Sequence, residues 1–225
     1  MDGTSNDGLH LYSYWRSSAA YRVRIGLALK GLACTIEPVH LLRDGGQQHA
    51  DAYAALNPQQ LVPLLLHGQR AVYQSLAILE YLEEAWPQAV PLLPATARER
   101  ARVRGLAQLV ACDIHPLNNL RVLQYLEREW DIPADGREAW ARHWMEQGLD
   151  AFEALVADNP ATGQFCHGDA PGLADCCLVP QVYNARRFGV DMAAYPTIER
   201  IDAACLALPA FDAARPERQP DAPAP

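Results

Sequence analysis

The sequence predicts an α/β N-terminal domain followed by an all-α C-terminal domain, and three observations carry that prediction. Up to residue 86, short strand-like runs alternate with helical ones. Residues 87–96 read PQAVPLLPAT, a proline-rich stretch that cannot continue a helix and is read as a linker. From Ala97 onward the apolar residues recur at helical spacing only. The expected division is therefore 1–86, a linker at 87–96, a helical domain over 97–210, and a proline-rich tail over 211–225.

Leu9 to Tyr14 (LHLYSY) alternates as a half-buried strand does, and Val23, Ile25, Leu27 and Leu29 sit in a helical run ended by Gly31. Ser17 or Ser18 falls at that helix N-terminus. Unpaired backbone N–H groups and the positive dipole end favour an anion there, such as a thiolate, whose pKa falls in that setting. Serine is also a preferred N-cap, so a capping role and a ligand role are both open; Arg16, just before, is either a ligand-side cation or a solvated charge.

Cys34 to Leu41 (CTIEPVHL) reads as a second strand, Leu42 to Gln48 as a polar loop, and Asp51 to Leu56 as a short helix. Val62-Pro63 then interrupts an apolar run. An X-Pro bond can be cis, and the Val62 backbone is either part of a structural kink or able to pair with an extended peptide. His67 to Arg70 turns the chain and Ala71 to Tyr73 forms a short strand. Gln74-Ser75 opens a helix from Leu76 to Trp86, with Ser75 as its cap, Leu76, Leu79 and Leu82 on its buried face, and room for a carboxylate at its start. This order, βαβ, loop, ββα, is that of a thioredoxin-like domain.

In the second half, Arg98 to Leu126 reads as one helix kinked at Pro116, followed by helices over Ala139 to Val156, Leu173 to Val182 and Ile198 to Leu206. Asp175 can reach back to the start of the third of these four as the acidic partner of a capping arrangement, with Gly172 where a serine or threonine is usual. The final residues ARPERQPDAPAP are read as a mobile tail that could also fold back over a site.

The 225-residue chain is half apolar, enough for a sizeable core, and its net charge of −8 leaves no basic footprint for nucleic acid or an anionic membrane. No apolar run has transmembrane length, and MDGTSNDG has no charged n-region; the expectation is a cytoplasmic protein. The six cysteines form no CxxC pair and are read as reduced thiols. Cys112 with His115, and Cys166 with His167, lack further ligands at metal-site spacing, so no metal is expected. Neither a nucleotide-binding glycine motif nor a G-x-S-x-G elbow occurs.

Four stretches carry a resemblance: Arg16-Ser17-Ser18 with Arg22-Val23-Arg24-Ile25, Asp44-Gly45-Gly46-Gln47-Gln48, Gln74 to Glu84 (QSLAILEYLEE), and Leu178 to Val182 (LVPQV). Together with Val62-Pro63 they resemble the zeta class of glutathione transferases over nearly the whole chain. That class includes maleylacetoacetate isomerase and bacterial maleylpyruvate isomerase. The resemblance implies the glutathione transferase fold, glutathione as cofactor, a small dicarboxylate substrate and a homodimer. It makes Ser17 and Ser18 catalytic. It gives Gln48, Val62, Gln74, Ser75, His115 and Asn119 to glutathione, and Arg16, Arg121 and Arg187 to the substrate carboxylates. The implied reaction converts maleylacetoacetate to fumarylacetoacetate by thiolate addition, bond rotation and elimination. Maleylpyruvate isomerisation, general glutathione conjugation and a non-catalytic glutathione-binding module are the alternatives. Where the class motif often reads Ser-Ser-Cys, this chain has Ala19, so no protein thiol at that point can be essential.

Overall fold

The computed structural model describes residues 8–223. The reading of the first seven residues, and of the last two of the tail, lies outside the described residues. The chain forms two compact units, one of Met1–Leu92 with Leu208–Pro225 and the other of Leu93–Ala207. This differs from the expected division, since the stretch read as a tail belongs to the first unit. The reason is local: Phe211, Ala214 and Pro216 are buried, and the Ala214 carbonyl accepts from Arg24 Nε at 3.0 Å.

In the first unit, β1 (Leu9–Ser13), β2 (Cys34–Pro38), β3 (Leu64–His67) and β4 (Arg70–Tyr73) form one sheet in the order β2-β1-β3-β4. β1 runs parallel to β2 and antiparallel to β3, and β3 runs antiparallel to β4. The alternation of β1 sends Leu9 and Leu11 into a core with Val23, Leu27, Leu65, Ile78 and Leu82. β2 ends at Pro38 rather than Leu41, because proline has no N–H for the ladder. Helices α1 (Ser18–Leu29), α2 (Asp51–Leu56) and α3 (Ser75–Ala85) complete the order expected from the sequence. A fourth helix of this unit, Pro209–Ala214, packs on α1. α1 is therefore buried on most sides and carries two arginines, Arg22 and Arg24, inside.

Lys30 closes α1 and meets Glu83 of α3 at 2.9 Å, with side chains 0% and 10% exposed. Lys30 Nζ also donates to the Val90 carbonyl, and Glu83 accepts from Leu92 N, so the proline-rich stretch is fastened to the unit up to Leu92. Replacing Lys30 by alanine leaves the buried Glu83 carboxylate without its cation. Denaturant unfolding is expected to lose about 3–5 kcal/mol, and a loss below about 1 kcal/mol would contradict this.

The second unit contains α4 (Ala97–Gln108), α5 (Leu120–Trp130), α6 (Ala134–Val156), α7 (Leu173–Arg187) and α8 (Pro196–Leu206); Pro209–Ala214 of the first unit is α9. The single kinked helix expected over 98–126 is corrected. α4 widens into a π-helical segment over Leu109–Ile114, the chain breaks, and α5 starts afresh at Leu120. Pro116 cannot donate to a continuing helix. Asn118 Nδ2 takes the Ile114 carbonyl at 2.9 Å instead, and Asn119 caps α5. α7 is the buried axis of this unit, with every residue from Leu173 to Val182 buried, and it extends past the expected end to Arg187. Asp175 reaches back as anticipated: its carboxylate accepts from Gly172 N at 2.8 Å and Cys166 N at 2.9 Å. Burial holds its pKa above the usual carboxylate range.

Candidate functional site

The sheet register brings the first-unit candidates to one end. Ser13, the last residue of β1, lies opposite Pro38, the last of β2. Tyr12 pairs with Leu64, the first of β3, which pairs with Tyr73, the last of β4. The loop to Ser17, the segment leading to Gln48, the Val62-Pro63 step and the Gln74-Ser75 step therefore all leave or enter the sheet at the same end of its strands. The N-termini of α1 and α3 open there too, and both favour anions.

Ser17 is the N-cap of α1, with extended backbone and its Oγ accepting from Ala20 N at 3.2 Å. The two readings of this serine are compatible. A hydroxyl accepts through a lone pair and keeps its own proton as a donor. Ser18 is the first helical residue and is buried, whereas Ser17 is only half-buried. Arg16 is half-buried as well, its guanidinium 5.5 Å from the Trp15 ring centre. The loop itself is held by Arg24, which donates to Ser13 Oγ at 3.0 Å, Tyr14 O at 3.3 Å and Trp15 O at 2.9 Å.

His40 and Gln47 close the next loop reciprocally, His40 N donating to Gln47 Oε1 and Gln47 N to His40 O. Gly46 sits at φ 103, and a Cβ there would strike the Gln48 amide. Gln48 is buried; its Nε2 lies 3.0 Å from His49 Nε2, and its Oε1 has no hydrogen-bond partner. The Val62-Pro63 bond is cis. The Leu61 carbonyl accepts from both Tyr53 Oη at 2.6 Å and Asn57 Nδ2 at 2.7 Å. The N–H of Val62, in the same planar peptide unit, is thereby aimed the opposite way.

At the start of α3 the structure corrects the assignment of the cap. Gln74, not Ser75, holds the N-cap position, at φ 67 and with no side-chain cap. Such a conformation costs a non-glycine residue about 1–3 kcal/mol and clusters at ligand sites. The Gln74 side chain donates to Gln59 Oε1 at 2.8 Å. Ser75 is the first helical residue, and its Oγ accepts from the buried Arg22 at 3.2 Å.

In the second unit the candidates gather at the break between the π segment and α5. Asn119 Oδ1 caps α5 by accepting from Arg121 N, and Asn119 Nδ2 lies 3.2 Å from His115 Nε2. Arg121 is exposed. Arg187, the last residue of α7, donates through Nε and Nη2 to Asn184 Oδ1 at 3.3 and 2.9 Å, and its guanidinium stacks over Phe188 at 4.4 Å. Asn184 Nδ2 in turn donates to Asn118 Oδ1 at 3.0 Å. Two buried asparagines thus tie Arg187 to the same break. Neither was given a role from sequence, nor was Arg24, although it lies in a stretch that carries the resemblance. The available signal was a polar residue inside an apolar helical run.

Four of the six protein thiols are poorly placed to act as nucleophiles. Burial pushes Cys34 up to about 11 and raises Cys166, Cys176 and Cys205 above the usual thiol range. Among the described residues, no group of three or more His, Cys, Asp or Glu is arranged to hold a metal ion. Among them, too, no helix is long and apolar enough to cross a membrane.

Residues 11–89 match the family model for the glutathione S-transferase N-terminal domain. Maleylacetoacetate isomerase of Pseudomonas aeruginosa is 50% identical over 96% of this chain and 100% of its own. A solved holo structure of a maleylpyruvate isomerase, described as a bacterial zeta-class glutathione transferase, is 49% identical and superposes with a TM-score of 0.92 over 95% of this chain and all of that one. The chain belongs to the zeta class of glutathione transferases. A further solved structure, maleylacetoacetate isomerase from Methylobacterium extorquens with malonate and glutathione bound, is 46% identical with a TM-score of 0.91, covering 96% of this chain and 100% of that one. Within this zeta-class chain the residue after Ser17-Ser18 is Ala19, so the start of α1 offers two hydroxyls and no thiol.

Proposed function

We propose that this chain is a glutathione-dependent cis-trans isomerase that converts maleylacetoacetate to fumarylacetoacetate. The observation that carries the reading is Arg187: its guanidinium is held in plane by buried Asn184, in a chain that also offers Arg121 and Arg16. Guanidinium groups recognise carboxylates, and an apolar electrophile would have no use for them. Methylobacterium extorquens maleylacetoacetate isomerase, with glutathione and the dicarboxylate malonate bound, supports the same ligand classes here.

The residues fit glutathione. The buried Gln48 Oε1 lacks a partner and would accept from a peptide N–H. Val62 presents a fixed backbone N–H to an extended tripeptide. Gln74 and Ser75, at the start of α3, suit its γ-glutamyl carboxylate, and His115 and Asn119 are further polar contacts. When bound, glutathione supplies the sulfur nucleophile that adds to the cis double bond and departs after rotation. Ser17 donates its hydroxyl proton toward that sulfur, and the N-terminus of α1 stabilises the negative charge. Ser18 adds a second hydroxyl at the same helix start. Arg16, Arg121 and Arg187 bind the substrate carboxylates and orient them.

The second reading, maleylpyruvate isomerisation, is favoured by one observation: the relatives bearing the two names are 50% and 49% identical to this chain. Turnover of both cis acids, measured side by side with and without glutathione, decides. The expected result is glutathione-dependent formation of the fumaryl product, faster with maleylacetoacetate. Turnover of neither acid would overturn the proposal.

The chain also acts as a homodimer in this reading. Of the described residues, α5 has none buried, and Tyr125 and Trp130 on it are 58% and 65% exposed, an apolar surface that a second copy would cover. Light scattering is expected to give about twice the 24.8 kDa chain mass. Six cysteines with no disulfide among them fit a cytoplasmic location.

A further inference from the structure

Leu208–Pro225 folds with the first unit although the whole of the second unit separates the two segments in sequence. α9 packs on α1 with Phe211 wholly buried, and the chain beyond it reaches the loop that precedes Ser17. There Trp15 N donates to Asp221 Oδ2 at 3.0 Å, across 206 positions of sequence.

The Trp15 N–H and the Tyr14 C=O belong to one planar peptide unit. Arg24 Nη1 donates to that carbonyl at 3.3 Å, and Asp221 accepts from that N–H, so the unit is gripped at both ends. The Tyr14 carbonyl also accepts from Ser17 N at 3.0 Å. Any rotation of the 14–15 peptide would therefore displace Ser17 and the side chain of Arg16. Arg24 links the two halves of the grip, because its Nε holds Ala214 O while its Nη2 holds Trp15 O. The other Asp221 oxygen is buried without a hydrogen-bond partner, so this carboxylate is committed to the loop rather than to solvent. Charge-assisted bonds of this kind are about twice as strong as neutral ones.

We propose that Asp221 is a positioning residue for the Tyr14–Ser17 loop, so that the C-terminal segment sets how well the start of α1 holds a thiolate. The inference rests on the glutathione-dependent reading above, and deepens it by adding a residue that acts through the loop backbone.

The test compares the full chain with Asp221→Ala and Asp221→Asn. The thiol pKa of bound glutathione is read from its ultraviolet thiolate absorbance against pH. Binding of S-methylglutathione, which has no thiol, is measured by calorimetry, and kcat and KM are taken with the cis acid. In Asp221→Ala the bound thiol pKa is expected to rise by about one unit and kcat to fall about tenfold. S-methylglutathione should bind within about twofold of the parent, and Asp221→Asn, which keeps an acceptor for Trp15 N–H, should recover most of the loss. An unchanged thiol pKa and kcat in Asp221→Ala would overturn the proposal. An equal loss of S-methylglutathione binding would also overturn it, by making the segment a general support for the unit. Failure of the unaltered chain to bind glutathione would instead defeat the underlying functional reading.

Discussion

Ser17→Ala is expected to lower kcat for the cis acid by about 100-fold at saturating glutathione, the size of effect seen when one donor to a developing or stored negative charge is removed. The substitution also deletes the N-cap of α1, because Ser17 Oγ accepts from Ala20 N. That second loss is worth about 1 kcal/mol of stability. It cannot mimic the first, since a domain that is several kcal/mol stable remains folded after losing about one. Thermal unfolding and turnover measured on the same preparation separate the two. Turnover unchanged at saturating glutathione would remove Ser17 from the chemistry and leave it as a cap.

Arg187→Ala is expected to cut kcat/KM for the cis acid by about two orders of magnitude, as truncation of one member of a charged hydrogen-bonded pair costs about 2–5 kcal/mol. Glutathione affinity should remain within about twofold of the parent, which distinguishes a substrate contact from a general disturbance. Arg187→Lys should not restore activity. An ammonium cannot place two donors on Asn184 Oδ1 while keeping a planar face over Phe188, as the guanidinium does. Asn184→Ala tests the support itself: with Arg187 still present but untethered, kcat/KM should fall about tenfold. Retained activity in Arg187→Ala would refer carboxylate recognition to Arg16 and Arg121.

What was legible in the sequence was local. The strand-loop-helix entry to Ser17, the short helix at Asp51–Leu56 and the reach of Asp175 to Gly172 all depend on neighbours within a few positions. Val62-Pro63 announced a bend by chemistry alone. The misread features have partners far away or defy propensity. Apolar spacing runs on through residues 109–117, so the π segment and the break were hidden inside an unbroken helical pattern. Gln74 at φ 67 displaces Ser75 from the cap, and residue type did not signal that, because serine is the better capping residue. Asn118 and Asn184 meet across 66 positions, and Trp15 and Asp221 across 206. Proline and charge made the last segment look unstructured, yet Phe211 and Ala214 anchor it.

Because the first unit is assembled from two separated segments, its completion during translation is delayed. Strand β1 and helix α1 leave the ribosome early, but the hydrogen bonds from Arg24 to Ala214 and from Trp15 to Asp221 must wait for the far segment to emerge. Leu93–Ala207 is continuous and has all of its own chain first. The loop before Ser17 therefore receives these two braces from a segment made after the whole of Leu93–Ala207, although the strand and helix that it joins are among the first made.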